Sequence, residues 1–343
     1  MIATTPPPLL EVADLRTHFA TPDGVVKSVE GASFSVPRRQ TVCIVGESGS
    51  GKSITARSIM GLVRKPGRVV GGRMTFYRRD GSPVDLAMLA PDSRAYRAIR
   101  GREIGMVFQE PMSALSPVHT IGSQLEEGIR LHLGLGGRAA RERAVETLDK
   151  VGFPNARARL SAYPFQLSGG LRQRVCIAMA LACEPSLLIA DEPTTALDVT
   201  TQANILELLM RLQAELGMAI VFITHDVGVV AEIADRVVVM YLGQVMESGT
   251  AAEVLRRPRH PYTRGLLRCV ADIDGDGALN AIPGIVPHPL ARPPGCAFST
   301  RCVESLGPLC DTRAPPLKTR AGGATVRCHL WSDAGHRMET ADG

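Results

Sequence analysis

A glycine-rich segment near residue 50 has the spacing of a loop that binds phosphate groups. Residues 46–53 read Gly-Glu-Ser-Gly-Ser-Gly-Lys-Ser and match the pattern G-x-x-x-x-G-K-S. Glycines let consecutive backbone N–H groups point at phosphate oxygens, and the helix that follows adds its positive N-terminal end. We expect Lys52 to reach the β- and γ-phosphates of a nucleotide and the Ser53 hydroxyl to ligate Mg²⁺. The expected nucleotide contacts of this segment are Gly46, Glu47, Ser48, Gly49, Ser50, Gly51, Lys52, Ser53 and Ile54.

A pair of acidic residues follows an apolar run in the middle of the chain. Leu187–Ala190 is typical of a buried strand, and Asp191 and Glu192 come directly after it. An acid at the carboxyl end of a buried parallel strand can face the Mg²⁺ beside a phosphate loop. We expect Asp191 to hold that Mg²⁺ through water and Glu192 to polarise the attacking water. The two motifs together predict hydrolysis of a nucleoside triphosphate.

The segment from residue 167 to 174 indicates which class of nucleotide hydrolase the chain resembles. It reads Leu-Ser-Gly-Gly-Leu-Arg-Gln-Arg and resembles the LSGGQ signature of ATP-binding cassette (ABC) ATPases. Ser168, Gly169 and Gly170 open a helix, and the amide end of a helix suits an anion. The resemblance implies that this end faces the γ-phosphate of ATP held by another subunit. Leu171 stands where Gln is usual, a change that related peptide importers tolerate.

Further residues resemble single-residue landmarks of the same family. Gln109 resembles the Q-loop residue, which senses Mg²⁺ and contacts the membrane subunit, and Asp198 ends a segment similar to the D-loop, which crosses the dimer interface. His225 resembles the switch histidine, which contacts the γ-phosphate, and Phe19 rather than His18 is expected to stack on adenine. The resemblance implies the catalytic residues Glu192, His225 and Gln109 and the Mg²⁺ ligands Ser53, Gln109 and Asp191.

The same resemblance implies an α/β fold, the P-loop NTPase ABC cassette, with a RecA-like core, an antiparallel β subdomain and an α-helical subdomain. Apolar runs alternate with helix-like segments, which agrees with a mostly parallel sheet covered by helices. The predicted strands are Thr41–Val45, Leu187–Ala190, Ala219–Ile223 and Arg236–Tyr241, and the predicted helices are Lys52–Val63, Gly122–Val151, Leu171–Ala182, Thr201–Leu216 and Gly228–Ile233. From Pro258 the chain is rich in Pro and Gly, which predicts a nucleotide-binding domain over 1–257 and a small C-terminal module over 258–343.

The C-terminal module holds four cysteines at the spacing C-x5-C-x7-C-x17-C, namely Cys296, Cys302, Cys310 and Cys328. Thiols clustered in a module too small for its own core favour a stapling centre. Some relatives with this tail carry a [4Fe–4S] cluster at the matching cysteines, so the resemblance implies that cluster here, with Zn²⁺ and free thiols as alternatives. The remaining cysteines, Cys43, Cys176, Cys183 and Cys269, are expected to be packing residues.

Several segments outside the nucleotide motifs are similar to the ATPases of oligopeptide and dipeptide importers. They are Gln109–Met112, Ala190–Thr200, His260–Thr263, Ile282–Gly284 and Gly295–Phe298. The likeness runs from about residue 9 to residue 331. It implies a chain that energises import of di- or oligopeptides. Nickel and glutathione importers belong to the same family and remain alternatives, and a soluble ABC ATPase without a transport role is a more distant one.

Composition and motif number bear on the partners. The net charge of +5 comes from interleaved charges, which does not indicate a nucleic-acid groove. No apolar stretch reaches the length of a membrane span, which predicts a soluble protein bound peripherally at the cytoplasmic face of the inner membrane. Each nucleotide motif occurs once, so two nucleotide domains must pair. By resemblance the partners are a homologous, non-identical ATPase, two transmembrane permease subunits and, through the complex, a periplasmic solute-binding protein.

Overall fold

The structure, a computed structural model, describes residues 7–110, 114–195, 197–271 and 282–331. The strands are β1 (Leu10–Thr21), β2 (Gly24–Val36), β3 (Thr41–Val45), β4 (Gly67–Tyr77), β5 (Pro83–Asp85), β6 (Ile104–Val107), β7 (Leu187–Asp191), β8 (Ala219–Thr224), β9 (Arg236–Tyr241), β10 (Gln244–Thr250), β11 (Lys318–Thr319) and β12 (Thr325–Val326). The helices are α1 (Lys52–Ile59), α2 (Arg94–Ile99), α3 (Ile121–Leu133), α4 (Gly137–Lys150), α5 (Ala156–Arg159), α6 (Gly169–Leu181), α7 (Val199–Leu216), α8 (Val227–Ile233), α9 (Ala251–Arg256), α10 (Pro261–Ala271) and α11 (Pro308–Thr312). The four predicted strands agree with β3, β7, β8 and β9 to within one residue at each end.

The chain divides into two compact units, each assembled from separated segments. The first unit comprises Met1–Leu10, Val36–Thr41 and Phe76–Ile223, and the second comprises Glu11–Ser35, Val42–Thr75 and Thr224–Gly343. The second unit therefore contains the phosphate loop together with the C-terminal tail. The first contains the acidic pair and the signature segment. Pro111, Met112 and Ala196, which belong to motifs noted above, lie outside the described residues.

The first unit is built on three parallel strands. β7 lies between β6 and β8, with Val107 opposite Ala190 and Asp191 opposite Ile223. All three strands are buried along their length, as expected for parallel strands covered on both faces. Helix α6 packs directly on β6, because a Cβ on Gly105 would lie 2.4 Å from the carbonyl oxygen of Ala180. Since parallel strands end at one edge, the residues after β6 and β7 lie at the same edge.

The helical part of the first unit corrects one predicted element. The segment Gly122–Val151 was predicted as one helix, but it forms the two helices α3 and α4. Gly134 ends α3 in the left-handed conformation, with φ 68°, and its N–H donates to the carbonyl of Arg130 at 3.1 Å. A glycine in this conformation is a common helix terminator because it has no Cβ to oppose it. Gly136 is the N-cap of α4 and has an extended backbone, and the helix begins at Gly137, so α3 and α4 are not continuous.

The second unit contains a sheet in which β2, β1 and β4 are neighbours in that order. Elsewhere in the unit, β3 pairs with β9 in parallel and β9 forms an antiparallel hairpin with β10. The hairpin turn uses Leu242 at φ 42° and Gly243 at φ 74°, both positive as a tight two-residue turn requires. This arrangement places the end of β3, and so the start of the phosphate loop, beside β9.

The C-terminal tail continues this second unit by strand pairing. β12 pairs antiparallel with β10, with Glu247 opposite Val326, and β11 pairs with β12. Arg327 donates from its N–H to the carbonyl of Met246 at 2.8 Å and from Nε to that of Val245 at 3.1 Å. The proposed division after Arg257 stays a prediction, while the described part of the tail is tied to the sheet by these bonds.

Within the ranges that the structure describes, none of the helices combines the length and the apolarity that crossing a bilayer requires.

Candidate active site

Two glycines of the phosphate loop are required by its backbone path. Gly46 has φ 152° and Gly51 has φ 96°, values that residues with a Cβ rarely adopt. A Cβ on Gly46 would lie 2.1 Å from the carbonyl oxygen of Met240, and one on Gly51 would lie 2.4 Å from that of Ser28. The loop therefore runs in backbone contact with β9 and β2, where a larger residue has no room.

The side chain of Lys52 folds back over the loop. The residue is 5% exposed, and Nζ donates to the carbonyl oxygens of Gly46 at 2.7 Å and Glu47 at 3.0 Å. Ser50 Oγ lies 3.5 Å from the same ammonium. A phosphate oxygen carries charge and binds an ammonium more strongly than a neutral carbonyl does. The loop thus holds the Lys52 ammonium where a phosphate oxygen can replace one of its carbonyl acceptors.

The start of α1 has the character of an anion site. Gly51 occupies the N-cap position and has no side chain to accept hydrogen bonds from the first turn. That turn consists of Lys52, Ser53 and Ile54 and contains no acid. A helix N-terminus carries partial positive charge on its N–H groups, which favours phosphate. Narrow glycine-lined backbone, a buried ammonium and an acid-free helix start together fit the phosphates of a nucleotide.

The acidic pair lies at the edge where β6 and β7 end. Asp191 is the last residue of β7 and is 2% exposed. Glu192 follows with φ 47°, a left-handed conformation that costs a non-glycine residue about 1 kcal/mol or more. Its N–H donates to the carbonyl of Ile223 at 2.9 Å, which ties the residue to the neighbouring strand. Backbone strain of this kind is typical of functional positions.

The structure brings two of the predicted catalytic residues into contact. Gln109, just past the end of β6, donates from Nε2 to Glu192 Oε2 at 3.0 Å. Thr195 Oγ1 donates to the same oxygen at 3.0 Å. The two donors orient the Glu192 carboxylate, and the Gln109 amide oxygen points away from this bond because the amide nitrogen makes it. One amide can therefore position the carboxylate and still offer an oxygen to a cation.

The signature segment forms a capped helix start. Ser168 is the N-cap of α6 and accepts from the N–H of Leu171 at 3.4 Å. Asp198 caps α7 in the same way, accepting from the Thr201 N–H at 2.9 Å and hydroxyl at 2.7 Å, and these bonds lower the pKa of Asp198. Thr201 also lies beside the signature, since a Cβ on Gly170 would be 2.9 Å from its methyl group. The predicted signature and D-loop residues are therefore neighbours within the first unit.

Two other predicted residues lie in the second unit. His225 is exposed and follows β8, and the next residue, Asp226, caps α8 by accepting from the N–H groups of Gly228 and Val229 at 2.8 and 3.3 Å. The ring of Phe19 lies against Gly67, where a Cβ would be 2.4 Å from a ring carbon. The roles expected for His225 and Phe19 stay predictions.

Comparison with known proteins places these motifs in one family. Residues 29–195 match the family model described as ABC transporter, and residues 246–310 match the one described as oligopeptide/dipeptide transporter, C-terminal region. A protein of Brucella melitensis named as a peptide import ATP-binding protein is 51% identical over 95% of this chain and 98% of its own length. The oligopeptide transport ATP-binding protein AppD of Bacillus subtilis is 48% identical over the same shares. The chain belongs to the ABC transporter family of ATP-binding proteins.

Solved structures agree with the assignment of this ABC ATPase. The ATP-binding cassette MJ0796, in a dimeric post-hydrolysis state bound to ADP and Pi, is 29% identical and superposes with a TM-score of 0.61 over 71% of this chain and 98% of that one. The protein CbiO1 from Clostridium perfringens gives a TM-score of 0.60 over 73% of this chain and 91% of that one. The predicted ABC cassette fold and the predicted ATPase activity are confirmed. As part of an ABC transporter, the ATPase works with membrane permease subunits.

The predicted [4Fe–4S] cluster of the ABC ATPase is wrong. Among residues 7–110, 114–195, 197–271 and 282–331, no group of three or more His, Cys, Asp or Glu side chains could hold a metal ion. Burial is the main cause that raises the pKa of Cys302 to about 11 and that of Cys328 to about 12 in the metal-free chain. Cys328 packs with Val326 and Leu330, and the sulfur of Cys310 accepts the N–H of Leu306 at 3.4 Å.

Two residues of the tail contact the phosphate loop, and the sequence motifs predicted no role there for either of them. Arg301 forms an ion pair with Glu47 of the loop, and the hydroxyl of Tyr262 accepts the Glu47 N–H at 2.9 Å. Tyr262 stands in the His-Pro-Tyr-Thr segment that resembles peptide importers, which was its only signal. Arg301 lies between two cysteines and 254 residues from Glu47, so no local pattern pointed to the contact.

Proposed function

We propose that the chain is the ATP-hydrolysing subunit of an ABC importer for di- and oligopeptides. The observation that carries this proposal is similarity over nearly the whole chain, including the tail, to proteins named for peptide import and oligopeptide transport. The tail is informative because a cassette alone is common to transporters of many substrates. The subunit itself does not touch the peptide, which the permease and solute-binding subunits handle.

Within this proposal the phosphate loop binds the nucleotide and the acidic pair serves its hydrolysis. Lys52 and the N–H groups that begin α1 take the β- and γ-phosphates, and Phe19 stacks on adenine. Mg²⁺, when bound, neutralises charge on the phosphate oxygens, and the oxygens of Ser53, Asp191 and Gln109 are the hard donors that it prefers. Glu47, Ser48, Gly49, Ser50 and Ile54 complete the contacts of the loop.

In this proposal Glu192 polarises the attacking water. Its carboxylate is held by Gln109 and Thr195, each at 3.0 Å, so that it can accept a hydrogen bond from water in a set direction. Because Gln109 is also exposed, a movement of its segment would reorient the carboxylate. His225 supplies a further contact to the γ-phosphate. Hydrolysis is therefore coupled to the surface that bears Gln109, which is the surface expected to face the permease.

A complete site requires a second nucleotide domain. Ser168, Gly169, Gly170 and Asp198 lie together, and the proposal assigns them to ATP held by the partner. The partner is a homologous, non-identical ATPase. Two permease subunits and a periplasmic solute-binding protein complete the transporter. The ATPase then sits peripherally at the cytoplasmic face of the inner membrane.

The test is ATP hydrolysis by the transporter reconstituted in vesicles with its solute-binding protein. We expect di- or oligopeptides to stimulate hydrolysis, with nickel and glutathione as the competing substrates. The Glu192→Gln variant serves as the control, because loss of a general base lowers turnover by about 10²-fold or more while ATP stays bound. Stimulation by nickel or glutathione and not by peptides would contradict the proposed substrate, and rapid turnover by Glu192→Gln would contradict the role of that residue.

A further inference from the structure

The guanidinium of Arg301 reaches from the tail to the phosphate loop. Its Nη1 lies 2.7 Å from Glu47 Oε2 and its Nη2 lies 3.1 Å from Glu47 Oε1, which is a two-bond contact between planar groups. The Arg301 side chain is only 4% exposed and that of Glu47 is 28% exposed. Charged pairs at this depth are screened less by solvent than surface pairs, and their geometry is more persistent.

The tail holds this guanidinium in place on its other sides. Nε donates to the carbonyl of Pro283 at 2.9 Å, and Nη2 donates to that of Ile282 at 3.3 Å. The guanidinium carbon lies 5.8 Å from the ring centre of Tyr241 and 6.0 Å from that of Phe298, within the range of a cation–π contact. Contacts with the tail and with Tyr241 of β9 therefore orient the Arg301 guanidinium toward Glu47.

Tyr262 fixes the backbone of the same loop residue. Its hydroxyl accepts the Glu47 N–H at 2.9 Å, and the residue is fully buried. Its ring packs against Tyr241 with ring centres 4.8 Å apart and against Phe298 with ring centres 5.3 Å apart. The Tyr262 hydroxyl is therefore held by a packed aromatic cluster of Tyr241, Tyr262 and Phe298. Two rings of this cluster, those of Tyr241 and Phe298, also contact Arg301.

The third polar group of Glu47 is its backbone carbonyl, which contacts other residues of the phosphate loop. Its carbonyl accepts from Lys52 Nζ at 3.0 Å and from the N–H of Ser50 at 3.2 Å. The tail therefore holds the side chain and the N–H of Glu47, and the phosphate-binding lysine contacts its carbonyl. A glycine-rich loop has many accessible backbone conformations, so fixing one residue on three sides lowers the entropy that nucleotide binding must remove.

We propose that Arg301 and Tyr262 are positioning residues of the nucleotide site, by which the C-terminal tail holds the phosphate loop in its binding conformation. Arg301 also neutralises the Glu47 carboxylate, which would otherwise place a negative charge next to the phosphates. The inference depends on nucleotide binding by the loop and not on which substrate is transported. Neither residue touches the nucleotide in this account, since both act through Glu47.

The experiment measures the Kd of a fluorescent ATP analogue with Mg²⁺, using the full-length ATPase well below its melting temperature. Arg301→Gln should weaken binding by about tenfold, because it removes a charge-assisted contact made with two bonds. The matched control is Glu304→Gln, which breaks another ion pair within the tail, Arg264 Nη2 to Glu304 Oε1 at 2.5 Å, and leaves both Arg301 and Glu47 in place. That control should bind within about twofold of the unmodified protein. In steady-state hydrolysis, Arg301→Gln should raise KM and leave kcat nearly unchanged.

Two further variants keep the proposal open to contradiction if Arg301→Gln does not fold. Tyr262→Phe preserves the aromatic packing and removes only the acceptor for the Glu47 N–H, so we expect binding about threefold weaker. Glu47→Gln with Arg301→Gln should bind no more weakly than Arg301→Gln alone, since both changes break one contact. Wild-type affinity in folded Arg301→Gln or in Tyr262→Phe, additive losses in the double variant, or an equal loss in Glu304→Gln would each overturn the proposal.

Discussion

At the level of single residues, the phosphate loop combines rigidity with charge. Gly46 and Gly51 pass within backbone contact of Met240 and Ser28, so the loop has little freedom at its two ends. Lys52, which follows Gly51, is nearly buried, and its ammonium folds back onto the carbonyl oxygens of the loop. A charge in such a position contributes to binding chiefly through the anion that it meets, because water screens it poorly.

Lys52→Ala should abolish binding of ATP without unfolding the protein. Saturating nucleotide at about 100 times Kd stabilises a folded protein by about 2.7 kcal/mol, which raises its melting temperature measurably. We expect that shift with Mg-ATP in the unmodified protein and none in Lys52→Ala, by differential scanning calorimetry. Arg57→Ala, at an exposed position of the same helix, is the control and should keep the shift. A normal shift in Lys52→Ala would contradict the assignment of the loop.

At the level of elements, glycines decide how closely helices and strands approach. Gly105 lets β6 lie against the backbone of α6, and Gly134 ends α3 in a left-handed conformation. The close approach at Gly105 depends on a contact with Ala180, which is distant in sequence. The end of α3 depends on the backbone conformation of Gly134 alone. The prediction of one helix over Gly122–Val151 therefore covered the right segment but passed over the glycines at which the chain turns, Gly134, Gly136 and Gly137.

Two glycine-to-alanine changes in the first unit should act in opposite directions. Gly105→Ala places a methyl group on the Ala180 carbonyl, and such overpacking costs about 1–3 kcal/mol of unfolding free energy. Gly128→Ala, within α3 where a Cβ meets nothing within 4 Å, should stabilise by about 0.5–1 kcal/mol through helix propensity. Urea unfolding followed by circular dichroism measures both. Equal effects of the two changes would show that close packing of β6 on α6 does not matter.

At the level of the whole molecule, a buried carboxyl links the tail to the sheet and makes stability depend on pH. Glu247 of β10 is 3% exposed and accepts the N–H groups of Arg259 and His260, each at 2.9 Å. Burial, the main cause, raises the pKa of Glu247 from 4.5 to about 7. Between these values the folded protein keeps the proton and the unfolded chain releases it, so the contribution of this group to stability falls as pH rises.

The expected change is a loss of roughly 3 kcal/mol between pH 4.5 and about pH 7, from a difference of about 2.5 pKa units at 1.36 kcal/mol per unit. It should be complete above pH 7 and absent below pH 4.5. Glu247→Gln, which cannot titrate, isolates it: the difference in unfolding free energy between the two proteins should change over this window. A difference that stays constant from pH 4.5 to pH 8 would mean that Glu247 is ionised throughout.

Some of this protein could be predicted from its sequence because the information is local. The phosphate loop, the acidic pair after β7 and the capped start at Ser168 each lie within a few residues, where spacing and residue type determine backbone conformation. The buried strands β3, β7, β8 and β9 were predictable for the same reason, since each is a short run of apolar residues. The strands β11 and β12 have two residues each, which is too few to give a pattern, and β12 is held by its pairing with β10.

The rest was decided by tertiary structure. The cysteine spacing was compatible with a metal cluster, but among the described residues no group of three or more His, Cys, Asp or Glu side chains could hold a metal ion, and their placement is a property of the folded chain. The left-handed conformation of Glu192 depends on its bond to the neighbouring strand. The phosphate loop could be recognised from residues 46–53 alone, but its support by Arg301 could not, because a contact across 254 residues exists only once both segments have folded.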